Sequence, residues 1–425
     1  MWVEPMLVIA LIALIIFLLA FRQNIILILL TATAYIHLVW GDGRVSYLVE
    51  DMWVSLNNEV LLAIPMFIAA GSVLSRGAIA RRLIDIMRVL TQWLPGGLAV
   101  TTILSCAVFA AISGSSPVTL LAIGTILYPA LLEDGYSKSF SLGALTSGGT
   151  LGIIIPPSIP LILYGIVTEK SISDLFIAGI VPGILLAIVL SAYAFWVNRK
   201  LPSKAWDNCA VAEAMRRGIW SLLLPVILLG GIYSGFFSAT EAAAVALGYA
   251  ISVEIFIHKE MKVRDFFNVS IDTAKLLGTL FPIVAVALSL KSLLTVEQVP
   301  QALAAWMGTV VSDPVTFLIA VIIILLLVGC FIDVISAILI LAPLLLGVAE
   351  TYGINPIHFG IIMVITLEIG FLTPPMGLNL IVAMTAFREP FGLICKSVLP
   401  FIVLIFGVLL IVTFVPEISL WLIRP

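Results

Sequence analysis

The sequence predicts an all-α polytopic membrane protein made of two inverted-topology repeats, each with a re-entrant helical hairpin and a Pro-Pro-broken transmembrane helix. Three observations lead there: an extreme apolar composition, apolar segments interrupted at their centres by Gly, Ser and Pro, and one constant spacing between two such regions. Of the 425 residues, 62% are hydrophobic and 11% charged, and mean hydropathy is +1.23. Soluble domains carry about a quarter charged residues. Uncharged stretches such as 6–20, 25–39 and 315–328 reach spanning length, roughly 17–25 residues, once their flanks are counted. A buried helix in a soluble core would explain one such stretch but not their number.

Taken along the chain, apolar runs punctuated by charges predict ordinary crossings near 5–21, 24–40, 59–75 and 176–197. After a basic break they predict others near 219–236, 240–257, 276–291 and 396–414. The N-terminal stretch has no basic n-region and no small-residue cleavage site, so it is expected to be the first transmembrane helix rather than a signal peptide. Two interrupted regions remain, 97–168 and 315–386. The first predicts a hairpin over 97–132 and a broken helix over 139–168; the second predicts a hairpin over 315–348 and a broken helix over 357–386. The expected repeats are 1–200 and 203–425.

The two regions align at an offset of 218 residues: Gly135 on Gly353, Gly152 on Gly370, Pro156-Pro157 on Pro374-Pro375, and Pro182 on Pro400. Ser115 falls on Asp333. If neither hairpin crosses, each half contains five crossings, an odd number, so the second half must be inverted. The positive-inside rule agrees. With both termini outside, all but Arg44, Lys170, Lys291 and Arg424 of the 21 Lys and Arg fall inside, among them Arg22, Arg81, Arg82 and Arg217. "SRGAIARRLIDIM" (75–87) corresponds to "TVEQVPQALAAWM" (295–307). Both read as amphipathic interfacial helices, and only the first carries an arginine cluster, as expected for opposite faces.

Function classes narrow quickly. Cys106, Cys209, Cys330 and Cys395 show no C-x-x-C or metal spacing and read as small hydrophobes. Three histidines are too few and too separated for a metal site. No H-E-x-x-H, G-x-S-x-G or Walker sequence suggests an embedded enzyme or ATP hydrolysis, so no enzyme activity and no cofactor are expected. Non-helical backbone is tolerated at membrane depth only where protein or a water-filled cavity satisfies it. Inverted repeats with discontinuous helices are the recurring plan of secondary transporters, with substrate and ions near the midplane.

The interruptions then have a use. In "ISGSSPV" (112–118) Ser115 or Ser116 is expected to cap the following helix, with Pro117 in its first turn. Thr373 and Pro374 in "FLTPPMGLNL" repeat that arrangement, whereas "IIIPPSIP" keeps the prolines without the capping hydroxyl. Free N–H groups at helix starts suit an anionic substrate, and freed carbonyls suit Na⁺, with Gly152 and Gly370 as natural members. Hydroxyls of Ser113, Ser115, Ser116, Thr373 and Thr150 complete a candidate shell. Asp333 and Glu368 are intramembrane carboxylates and therefore candidate ion or proton elements, although Asp333 also suits a cap on its own hairpin helix. Asn379 is a candidate polar contact. Glu241 in "SATEAAA" reads as part of a capping box with no transport role. Arg388 is the nearest charge partner for a substrate and reads better as an anchor at the membrane boundary.

These residues resemble the large membrane (permease) subunit of tripartite ATP-independent periplasmic (TRAP) transporters. The resemblance rests on "GSSPVTLLAIGTILYPALLEDGY", "GGTLGIIIPPSIPLILYG", "NPIHFGIIMVITLEIGFLTPPMGLNL" and "IPMFIAAGSVLSRGAIARRLID". It implies an elevator-type ion transporter architecture in the bacterial or archaeal inner membrane, importing a carboxylate-bearing organic solute on a sodium gradient. It implies two partners: a periplasmic substrate-binding protein and a small four-helix membrane subunit. The first two crossings are accounted for by the repeat, so that subunit is expected as a separate chain. The other contacts expected are the small organic anion and membrane lipid, and no nucleic acid. The implied sodium sites use carbonyls around Ser113, Gly152, Ile155 and Pro157, and around Gly329, Gly370, Thr373 and Met376. The substrate-facing residues are Ser115, Ser116, Pro157, Ser158, Thr373, Pro375 and Asn379. The transport part would be 97–168 with 315–386, linked to a scaffold by interfacial helices near 77–93 and 297–309. Rival readings are a stand-alone sodium- or proton-coupled carboxylate carrier of related fold and, more remotely, a channel, for which no ring-forming motif is present.

Overall fold

The computed structural model describes residues 3–21, 23–40, 43, 45–311 and 313–423. Arg22, Arg44 and Arg424, used in the charge argument above, lie outside the described residues. The described residues form helices joined by turns and short loops and contain no strand. Two apolar helices open the chain, α1 (Val3–Ala20) and α2 (Ile25–Val39). An amphipathic α3 (Ser46–Leu56) follows, and a 3₁₀ turn leads into α4 (Ala63–Arg76). α5 (Ile79–Thr91) is the first expected interfacial helix; it buries Ile79, Leu83 and Ile86 and turns its arginines outward.

The first interrupted region is α6 (Gly97–Ser113), α7 (Ser116–Glu133), α8 (Lys138–Gly149), the single turn α9 (Leu151–Ile154) and α10 (Ile159–Thr168). α11 (Ile172–Asn198), α12 (Asn208–Tyr233), α13 (Ala239–Ser252, continued by a π turn to His258), α14 (Val263–Val296) and α15 (Val299–Val310) come next. The second interrupted region is α16 (Pro314–Gly329), α17 (Val334–Thr351), α18 (Pro356–Phe371) and α19 (Leu378–Phe387). α20 (Phe391–Phe414) and the short α21 (Glu417–Leu420) follow. By length and composition, nine of the described helices can cross a membrane.

Helix boundaries recur at the spacing read from the sequence. α7 and α17 begin at Ser116 and Val334 and end at Glu133 and Thr351, and α8 and α18 begin at Lys138 and Pro356. Gly135 and Gly353, which follow the two hairpins, both adopt positive φ, 84° and 72°. Left-handed backbone is nearly free only for glycine, which explains a glycine at both corners.

Three elements differ from expectation. α3 was not foreseen: it is short, carries Glu50 and Asp51, and owes its place to packing on α14. α12 begins well before 219, because the Asp207 carboxylate accepts from Cys209 N and Ala210 N (2.8 and 3.2 Å) and starts a helix inside the expected basic break. α14 has 34 residues, starting well before 276 and ending at Val296. The capping box at Ser238 and Glu241 is present as expected.

The two broken helices form the centre. From His358 to Phe371 every residue of α18 is buried, as is every residue of α8 from Phe140 onwards. α18 is enclosed by α16, α17, α20 and α11, while α8 lies against α7, α6 and α20. The packing is crosswise: α10 lies on the second hairpin's arm α17, and α19 lies on the first hairpin's arm α7. Tyr164 of α10 is fully buried and its hydroxyl donates to Pro356 O at the start of α18 (2.7 Å). Tyr164→Phe should lower unfolding free energy by about 1 kcal/mol, measurable as a drop in thermal midpoint with no change in helix content.

Candidate functional site: two broken helices facing two hairpin tips

Each hairpin turns at a short non-helical tip, and each tip meets the break in a neighbouring helix. In the first, α6 stops at Gly114, whose φ of 61° takes the chain out of the helix. Gly114 O accepts from Ile159 N at 3.2 Å, so the tip carbonyl is bonded by the restart of α10. In the second, Cys330 O at the end of α16 accepts from Met376 N at 3.3 Å, in the break between α18 and α19. Pro156-Pro157 and Pro374-Pro375 are both cis.

Glycines bring the backbones together. A Cβ on Gly152 would lie 2.5 Å from Ser115 O and from Thr119 Oγ1. A Cβ on Gly370 would lie 2.6 Å from Gly329 C and Cα. These two glycines, one repeat length apart, thus do the same job: each lets a broken helix touch a hairpin tip backbone to backbone. Ser113 is buried at the first tip and its hydroxyl pairs with Thr119 Oγ1 at 2.7 Å. Gly329, Asp333 and Met376 line one cavity of about 140 Å³ at the second tip, together with Cys330 and Phe371.

The caps differ from those expected. Ser115 stands at the N-cap of α7 in extended backbone, but its side chain makes no capping bond. Ser158 does cap, accepting from Leu161 N at 3.4 Å, so "IIIPPSIP" does carry a capping hydroxyl, placed after the prolines rather than before them. Thr373 does not cap. α19 restarts only at Leu378, behind Gly377, while Thr373 hangs on the end of α18 and donates through Oγ1 to Ile369 O (2.8 Å). Gly370 O accepts from Thr373 N at 2.9 Å. Ile155 lies in extended backbone with Pro157 two residues on, and Pro375 is exposed.

Asp333 serves its own helix: Oδ2 accepts from Ser336 N (2.9 Å) and Oδ1 from Ser336 Oγ (2.6 Å). Glu368 and Asn379 are fully buried and joined to the other hairpin. Asn379 Nδ2 donates to Glu368 Oε1 (3.2 Å) and to Ser116 Oγ at the start of α7. This bridge unites α18, α19 and α7 and leaves Glu368 Oε2 and Asn379 Oδ1 without protein partners. Ser116 is therefore held by Asn379 rather than used as a cap.

Ion pairs fasten the ends of this core. Lys138 Nζ lies 2.7 Å from Glu389, which also accepts from Tyr128 (2.9 Å). The hydrogen bond from Lys138 holds the Glu389 carboxyl below its ordinary value. At the other end Lys291 of α14 bonds Glu169, just after α10, at 2.6 Å and likewise holds its carboxyl low. Sequence reasoning missed Thr119, whose spacing from Ser113 offered a signal, and Glu254, a lone acid inside an apolar run. The Glu254 carboxylate accepts from Ala78 N (3.0 Å) and Ile79 N (2.8 Å) and so caps α5 from a different helix.

A polytopic helical chain whose buried centre is built from broken helices has the architecture of a secondary transporter. It belongs to the family described as "Tripartite ATP-independent periplasmic transporter, DctM component", whose profile matches residues 6–418. As a large permease of this family it serves secondary transport of organic-acid-type solutes. It is 41% identical over 386 residues, 90% of each chain, to the C4-dicarboxylate TRAP transporter large permease protein DctM of Pseudomonas aeruginosa. It is 35% identical over 390 residues, 91% of each chain, to the ectoine/5-hydroxyectoine TRAP transporter large permease protein UehC of Ruegeria pomeroyi. It also matches the isethionate TRAP transporter permease protein DctMQ of Oleidesulfovibrio alaskensis, 38% over 388 residues, spanning 90% of this chain and 61% of that one. Among solved structures, the fold is similar to the Alcanivorax borkumensis YdaH transporter, with a TM-score of 0.67 at 16% identity over 91% of each chain.

Proposed function

We propose that this permease imports a small organic acid, coupled to sodium, by an elevator movement of its central core. The observation that carries the proposal is the paired contact of hairpin tip and broken helix, Gly114 O with Ile159 N and Cys330 O with Met376 N. Two such junctions, with helix boundaries repeating at one spacing, suit two inverted repeats with cation and solute sites between them. Carbonyls around Ser113, Gly152, Ile155 and Pro157 hold one sodium ion in this reading. Those around Gly329, Gly370, Thr373 and Met376 hold a second, and the cavity beside Met376 supports that placement. The solute's anionic group faces Ser115, Ser116, Pro157, Ser158, Thr373, Pro375 and Asn379. In this reading 97–168 and 315–386 move as one body, which their crosswise packing supports, with α5 and α15 as links to the scaffold. Relatives named for C4-dicarboxylate, isethionate and ectoine support the solute class. The family's tripartite description supports a periplasmic binding protein and a small membrane subunit as partners, in a bacterial or archaeal inner membrane; the Lys and Arg distribution supports both termini outside.

Thermal unfolding of the detergent-purified chain in Na⁺ against K⁺, at equal ionic strength, tests the coupling ion without knowledge of the solute. Sodium at ten times its dissociation constant should stabilise by about 1.4 kcal/mol, and Thr373→Val should reduce that gain. Equal midpoints in the two salts, with the protein folded, would refute built-in sodium sites in this chain.

A further inference from the structure

We propose that the cleft between α5 and α12 binds the phosphate headgroup of an anionic phospholipid. The cleft has a volume of about 610 Å³ and is lined by Arg81, Arg82 and Arg88 of α5 and Arg217 of α12. Its wall also carries three carboxylates, Asp85, Glu213 and Glu260. Two of the arginines are engaged elsewhere: Arg217 pairs with Glu213 along its own helix, and Arg88 reaches Asp134 at 3.7 Å. Arg82 donates to Arg217 O at 2.7 Å, a neutral acceptor that leaves its charge in place. Neither Arg81 nor Arg82 has a carboxylate within ion-pair distance among the described residues. With Arg217 paired to Glu213 and Arg88 to Asp134, the guanidiniums of Arg81 and Arg82 are the two that remain to bind a phosphodiester.

The apolar surroundings point to a lipid as the source of that phosphate. α5 spends its apolar face on the protein interior, with Ile79, Leu83 and Ile86 fully buried, so its polar face remains for the cleft. On α12 the residues beyond Arg217 continue as exposed apolar surface: Ile219, Trp220 and Val226. A guanidinium cluster opening onto Trp and aliphatic side chains along one helix is a headgroup site with a track for acyl chains. α5 also packs on α6, the first arm of the hairpin. A bound headgroup would therefore clamp α5 to α12 at the edge of the central core. This inference does not depend on the identity of the coupling ion.

The test is thermal unfolding of the full chain in mixed micelles of phosphatidylglycerol or phosphatidylcholine with identical acyl chains, at fixed ionic strength. A third arm uses inorganic phosphate with phosphatidylcholine. Phosphatidylglycerol should raise the midpoint above phosphatidylcholine in a saturable titration. The Arg81→Gln/Arg82→Gln variant should weaken that titration by roughly thirtyfold, at about 1 kcal/mol per arginine, while its midpoint in phosphatidylcholine stays near the unmodified protein's. Arg264→Gln, outside the cleft, should keep the full response, and Arg81→Gln alone should show an intermediate one. Equal midpoints in the two lipids, or an undiminished response in the double variant, would overturn the site. An equal rise with inorganic phosphate would overturn the lipid as its occupant.

Discussion

Gly370→Ala is expected to destabilise the protein by about 3 kcal/mol and to abolish any sodium-specific stabilisation. The added methyl group would lie 2.6 Å from two backbone atoms of Gly329. A side chain could rotate away, but a backbone in a packed hairpin tip can only shift as a unit, and overpacking of this kind typically costs about 1–3 kcal/mol or more. Gly152→Ala should act similarly, since its Cβ would meet Ser115 O at 2.5 Å. Gly392 in α20 is the control: nothing lies within 4 Å of a Cβ there, and alanine in an open helical position should be neutral or stabilising by up to about 1 kcal/mol. Thermal midpoints of the three variants, each in Na⁺ and K⁺, decide the matter. Indistinguishable midpoints for Gly370→Ala and Gly392→Ala would mean that hairpin and broken helix are not in contact.

Glu254→Ala should cost about 2–5 kcal/mol, because it strands two buried backbone donors, Ala78 N and Ile79 N, at the start of α5. The same carboxylate explains Gly77. A Cβ on Gly77 would sit 2.1 Å from Glu254 Cδ, so Gly77→Ala should also be strongly destabilising while Glu254 is present. The two changes should be markedly non-additive. With Glu254 already alanine the obstruction is gone, and adding Gly77→Ala should cost little more. A double-mutant cycle on unfolding free energy reads this directly, and strict additivity would show that the two residues do not meet. His258 lies one turn along, its Nδ1 3.7 Å from Glu254 and both side chains fully enclosed. The π turn at Val253–His258 sets where Glu254 points.

The hairpins and broken helices were legible because their punctuation is written in Gly and Pro, whose backbone effects are local. The start of α7 and the corners at Gly135 and Gly353 follow from those residues, whereas α17 starts at the Asp333 cap. Capping was legible at Ser238 and Asp333 but not at the Pro-bearing breaks, because a cap there depends on where the helix resumes rather than on which hydroxyl is nearest a proline. Ser158 lies beside the restart of α10 and caps it, whereas Thr373 lies before a longer break that Gly377 ends. α3 was obscured for another reason: its charges suggest a loop, and only its contact with α14, far along the chain, accounts for a stable helix there. Glu254 carried the same signal as Glu368, an acid in an apolar run, but its partners are backbone N–H groups that have no sequence signature.

The crosswise packing of α10 on α17 and α19 on α7 also bears on how the protein is made. Ser116 and its partner Asn379 are separated by 263 residues. At synthesis rates of about 5–20 residues per second, roughly tens of seconds pass between emergence of the first and of the second. During that interval the first hairpin enters the bilayer without the helix that will cover α7, and its buried hydroxyl has no amide to meet. A nascent chain ending before Leu378 therefore holds all of one half and most of the other, yet it lacks α19, so α7 is uncovered and the bridge from Asn379 to Ser116 is not made. The bridge that ties α18 and α19 to α7 is thus made only when α19 has emerged, late in synthesis.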